Sequence, residues 1–162
     1  MAAGSGSTAL GSLGPGGEQG LTPRQQERIQ TAIETCRQDN GLDISVMVGD
    51  LELPDLAQFR AAAGRLHAAL GERSQNAVLV VVAPGQRRVE VVTGPGIRRR
   101  VPDRVCALAV LSMTTAFSGG DLTGGIVDGL RQVADAAGRR EAIAAAVARP
   151  GGQPARREDA SH

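Results

Sequence analysis

Six arginines lie between positions 87 and 104: Arg87, Arg88, Arg98, Arg99, Arg100 and Arg104. Only Glu90 and Asp103 oppose them in that stretch. Arg98 to Arg100 follow a Gly94-Pro95-Gly96 loop and precede a helix start. Backbone amides at such a start, with guanidinium forks beside them, can hold a phosphate or a carboxylate. The competing reading is a solvated basic loop paired with local acids. The loop is not a dinucleotide fingerprint, because it lacks the third glycine and follows a hairpin strand. Spacing alone leaves two arrangements open. The hairpin either brings the Arg87 turn toward the Arg98 segment or holds the two at opposite ends.

The other reactive side chains are sparse. Asp121, Asp128 and Asp135 recur every seven residues. On a helix they are roughly 10 Å apart along the axis, too far to share an ion, and read as a solvated face. Asp128 and Asp135 bracket Arg131 at ion-pair spacing. His67 is the one histidine inside the domain, at the edge of an apolar helix face. With His162 in the tail it has no second imidazole to join in a metal site, so it reads as structural. Ser112, Thr114 and Thr115 have no identifiable base, and no nucleophile elbow is present. Cys36 and Cys106 sit among apolar residues and read as reduced core thiols.

Composition closes several routes. All 18 basic residues are arginine, so a Schiff-base lysine and a phosphate-loop lysine are impossible. Phe59 and Phe117 are the only aromatic residues and cannot build a nucleic-acid stacking platform. A net charge of +1 gives no general pull toward nucleic acid or membrane. The N-terminus lacks the basic and apolar regions of a secretory signal, and no apolar run has the length of a transmembrane segment. A cytoplasmic protein without a cofactor or metal is expected.

The 162 residues suit one domain. Residues 1–20 are mostly Gly, Ser and Ala and are expected to form a disordered tail. Residues 139–162 are expected to be partly helical, over 141–149, and then disordered. The domain is placed at 21–138. Thr22, Pro23 and Gln25 spell a capped helix start, followed by Ile29, Ile33 and Cys36 on one face and Gly41 at the end. Ile44, Val46 and Val48 mark a strand. Asp55 opens a helix with Leu56, Phe59, Ala63, Leu66 and Leu70 at helical spacing, and Gly71 stops it. Ala77 to Ala83 is apolar throughout, which predicts a central strand covered on both faces. Pro84-Gly85-Gln86 turns the chain into a hairpin partner, Arg88 to Thr93. Val105, Leu108, Ala109 and Ser112 predict a third helix. A fourth follows the Asp121 cap, with Leu122, Ile126, Leu130, Val133 and Ala137 along one face. The order strand, helix, strand implies a parallel crossover before the hairpin. The fold class is α/β, a small mixed sheet flanked by helices on both sides.

The run from Asn76 to Gly138 resembles the TPM domain, named for a thylakoid phosphatase. Five segments in order carry the resemblance: Asn76 to Ala83, Arg88 to Ile97, Val101-Pro102-Asp103, Ala116 to Asp121, and Gly125 to Leu130. Membership implies the same mixed, doubly flanked sheet. It also implies a divided functional background, with acid phosphatases among plant relatives and envelope proteins among bacterial ones. Two departures matter. The family's Asp-Asn-Gly before the central strand is Gln75-Asn76-Ala77 here. Its Gly-aromatic-Gly-Leu-Glu is Gly94-Pro95-Gly96-Ile97-Arg98, with a base in place of an acid.

The leading expectation is a non-enzymatic module. It binds an acidic protein segment or small anion through Gly94, Gly96, Arg98, Arg99, Arg100 and Arg104. The alternative is a TPM-like phosphatase of phosphomonoesters, in which Arg98 or Arg99 clamps phosphate and Asp103 or Asp121 serves as base or metal ligand.

Overall fold

The computed structural model describes residues 10–12, 21–51 and 53–139. Four strands form one sheet in chain order: β1 Leu10–Ser12, β2 Asp43–Val48, β3 Ala77–Ala83 and β4 Arg88–Thr93. β1, β2 and β3 run parallel, and β4 returns antiparallel to β3. Among the described residues four α-helices surround the sheet: α1 Pro23–Asn40, α2 Leu56–Ala68, α3 Asp103–Ser118 and α4 Leu122–Ala137. The result is a small mixed sheet with helices on both faces.

All seven residues of β3 are buried. Successive side chains of a strand point to opposite faces, so this strand demands two apolar covers. Val78, Val80 and Val82 face a large core shared with α1, α3 and α4. Leu79, Val81 and Ala83 face a smaller one, closed by Phe59 and Ala63 of α2. The parallel pairing of β2 with β3 makes α2 the crossover between them.

Local signals place the helix ends. Thr22 accepts from the Gln25 amide and the Gln25 side chain accepts from the Thr22 amide, a complete capping box on α1. Gly41 ends α1 in the left-handed region, at φ 67°. Asp55 and Asp121 cap α2 and α4 through their carboxylates. Gly125 and Gly129 let α4 approach α3 closely: a Cβ on Gly129 would lie 2.7 Å from Met113 Cε.

The structure adds three placements to these expectations. Leu10–Ser12, inside the stretch assigned to a disordered tail, pairs with β2 as an edge strand. A ladder is made by backbone groups, so Leu-Gly-Ser can join it without any apolar alternation. Leu108 is 59% exposed; the inward face of α3 is Cys106, Ala109 and Met113. His67 belongs to the buried face of α2, where Nε2 donates to the Ala77 carbonyl at 3.1 Å. The helix expected at 141–149 lies outside the described residues.

One polar node joins the C-terminal ends of two helices. The buried Asn40 amide donates to the carbonyls of Ala134 and Gly138 at 3.0 and 2.9 Å. Arg100 donates from Nε to Ala137 O, and from one terminal nitrogen to Asn40 O at 2.6 Å and Gly138 O at 3.3 Å. A cation at two helix C-termini also meets the negative ends of both dipoles. Replacing Arg100 by Ala is expected to cost about 1.5–3 kcal/mol, the range for hydrogen bonds to a charged group. Urea unfolding of the variant checks this: the midpoint should fall with little change in slope, and an unchanged midpoint would contradict the assignment.

Cys36 and Cys106 are free and buried. Burial pushes both thiols up to about 11, helped by Asp135 at Cys36 and by Asp103 at Cys106. The unfolded thiols ionise near 9, so the folded state holds protons that the unfolded state has lost between those values. Stability is therefore intact below pH 9 and falls as pH rises through 11, by on the order of 2–3 kcal/mol per thiol. The chain has neither Lys nor Tyr, so no other side-chain type titrates in that window. Urea midpoints under reducing conditions at pH 8 and 11 should show the loss, and the Cys36→Ala/Cys106→Ala variant should flatten it.

Candidate functional site

The loop between β4 and α3 is built on close backbone approach. Gly94 donates its amide to Ala77 O at 3.1 Å, and Gly96 donates to Gln75 O at 2.8 Å. A Cβ on Gly94 would sit 1.8 Å from Ser74 O, and one on Gly96 2.2 Å from Asn76 Oδ1. Both glycines thus press the loop onto the 3-10 turn Gly71–Asn76. Arg73 of that turn grips Asp43 with two hydrogen bonds, at 2.9 and 2.8 Å, and reaches the buried Ser45 hydroxyl. The bond to Asp43 raises Arg73 above its ordinary value. The two glycine amides expected to face a ligand are therefore spent inside the fold. Gln75 and Arg98 lie on this pair of touching segments.

The six arginines divide three ways. Arg87 closes the hairpin in the left-handed region at φ 54°, and Arg88 donates to Leu53 O at 3.2 Å. The six residues of β4 separate this end from the Arg98 end by roughly 17–20 Å. Arg100 is taken by the helix ends, where burial lowers it from its ordinary value. That leaves Arg98, Arg99 and Arg104, all exposed, around the start of α3. Arg98 donates to Thr93 O at 3.2 Å. Among the described residues none of the three forms an ion pair, whereas Arg37, Arg60, Arg73 and Arg131 do. Pro102 gives α3 no side-chain cap.

The acids do not converge. Asp103 is exposed in the first turn of α3, and Asp121 caps α4 beyond the other end of α3. Sixteen helical residues put them about 24 Å apart. Asp128 pairs with Arg131 at 3.1 Å on the surface. Among the described residues, no group of three His, Cys, Asp or Glu side chains converges to hold a metal ion. The hydroxyls serve the helices: Thr114 donates to Val110 O, and Ser112 accepts from Gln132.

A second surface was not anticipated. β4 is the outer strand of the sheet, and a groove of about 930 Å³ follows it between α2 and α3. Leu56 and Leu111 line it, 43% and 62% exposed. The available signal was topological, since nothing after Thr93 reads as a strand able to cover the hairpin.

Comparison with known proteins agrees with this architecture. The family model for the TPM domain matches residues 17–136. Uncharacterised proteins from two strains of Mycobacterium tuberculosis are 31% identical over 87 residues, which is 54% of this chain. The match spans about half of those relatives' length, 49%. Among solved structures, the N-terminal domain of a P. gingivalis protein superposes with a TM-score of 0.66 at 18% identity, covering 82% of this chain and 83% of that one. The N-terminal domain of a Corynebacterium glutamicum protein gives 0.65 at 16%, covering 85% and 84%. These likenesses concern the fold, while the family model spans most of the folded region, and the chain belongs to the TPM domain family.

Proposed function

We propose that this TPM domain is a non-enzymatic binding module that captures an acidic protein segment through Arg98, Arg99 and Arg104. The observation that carries this reading is three exposed guanidiniums around one helix start with no acidic partner among the described residues. The uncapped first turn of α3 adds donors of the same sign. The replacement of two family acids by Gln75 and Arg98, on adjoining segments, weighs against hydrolysis at that place. Two unbridged thiols support a cytoplasmic setting. No helix among the described residues is long and apolar enough to cross a membrane.

The test uses a labelled deca-glutamate peptide and the full chain. Anisotropy should report binding that weakens with salt, as exposed charges require. The Arg98→Ala/Arg99→Ala/Arg104→Ala variant should lose at least about tenfold in affinity, equivalent to 1.4 kcal/mol, with unchanged thermal unfolding. Equal binding by the folded variant would remove the proposal. Phosphomonoester hydrolysis should stay at the buffer blank with Mg²⁺, Ca²⁺ or chelator. Activity that falls on Asp103→Ala or Asp121→Ala would replace this reading with a TPM-like phosphatase.

A further inference from the structure

The register of the hairpin determines which backbone groups of β4 are free. Gly94 donates to Ala77, and the pairing continues as Val92 with Leu79, Glu90 with Val81 and Arg88 with Ala83. In an antiparallel ladder these alternate residues exchange both hydrogen bonds with the neighbour, and the residues between them turn their N–H and C=O outward. The outward set is Val89, Val91 and Thr93. Arg98 occupies the Thr93 carbonyl. The outward groups of Val89 and Val91 have no backbone partner among the described residues. They line the groove between α2 and α3.

Natural proteins shield a free edge, because it is a template for another strand. This edge carries apolar shoulders instead, with Leu56 on the α2 side and Leu111 on the α3 side. We infer that the β4 edge is a strand-addition site for an extended partner segment in which apolar and acidic residues alternate.

The alternation follows from the two walls. Side chains of an added strand point by turns to opposite faces. On the α3 side they meet Ala107, Val110 and Leu111, which favours apolar residues. On the α2 side they meet Arg60 and Arg88 against Glu90 alone, which favours carboxylates. Arg60 already touches Glu90 at 3.3 Å, but its side chain is 62% exposed and such pairs are weak, so its guanidinium can serve a second acid. Burial raises the Glu90 carboxyl, and the Arg60 guanidinium acts against that rise. Arg98, seated on Thr93 O, marks where the added strand stops. A bare extended segment suits the groove better than a second copy, whose own β4 edge is flanked by the same two helices. This inference uses the walls of the groove and does not require capture by Arg99 and Arg104.

The test is amide hydrogen exchange by NMR on the full chain, with a ten-residue peptide of alternating Val and Asp. Saturating peptide should slow exchange at the Val89 and Val91 amides at least tenfold. The Glu90 and Val92 amides, already bonded to β3, should change little. Leu111→Glu alters an exposed position and puts an acid in the apolar wall, so it should weaken the peptide about tenfold. A Val-Arg alternating peptide should not protect the edge. The Arg99→Ala/Arg104→Ala variant should keep the protection of Val89 and Val91, so failure of the loop reading stays separate. Saturation without slowing at those two amides, or no peptide binding at millimolar concentration, would overturn the inference. Protection in the free chain that grows with protein concentration and doubles the mass would assign the edge to a second copy.

Discussion

Double burial of β3 is the constraint around which the other elements are arranged. Seven consecutive apolar side chains leave no face for water. The three-helix layer answers Val78, Val80 and Val82, while α2 answers Leu79, Val81 and Ala83. Each fully buried valine or leucine contributes roughly 1.5–3 kcal/mol relative to exposure, so neither layer can be dropped. The division also explains the lopsided core. The single helix α2, 13 residues long, shields the smaller core, and its cover depends heavily on Phe59.

Charge is distributed according to position in this frame rather than position in the chain. Arg100 sits one residue from Arg99 yet is bonded to three carbonyls at the ends of α1 and α4. Arg87 and Arg88 belong to the hairpin end of β4, and Arg98 to the other end. A run of arginines is therefore structural at one position, an edge cap at the next, and solvent-facing at a third. Residue type is common to all of them; the carbonyls within reach are not.

Much of the frame was legible because its signals are local. Thr22 with Gln25, Asp55, Asp121 and Gly41 mark helix ends by chemistry that acts within three or four residues. The apolar run of β3 declares its own double burial. The illegible parts depend on neighbours far along the chain. β1 carries no alternation, and its place is set by the unpaired side of β2. Spacing marked α3 as a helix but not which of its faces turns inward; that rotation goes with α4, which approaches at Gly125 and Gly129 and leaves Leu108 outside. The candidate site was read as one loop of glycines and arginines. Packing of that loop against Ser74 to Asn76 could not be seen from composition, and it is what consumes the Gly94 and Gly96 amides.

The Arg100 node bears on how the neighbouring side chains meet a ligand. The loop is held at its start by the Gly94 and Gly96 amides and near its end by the Arg100 guanidinium. Arg98 and Arg99 therefore project from a turn whose backbone is already ordered. Ordering a rotamer-rich interface side chain costs about 0.5–1.5 kcal/mol, and a mobile loop would add its backbone to that loss. Preorganisation confines the entropic cost of recognition to a few guanidinium rotors. In the proposed binding mode the half-buried Arg100 would favour association without touching what is bound.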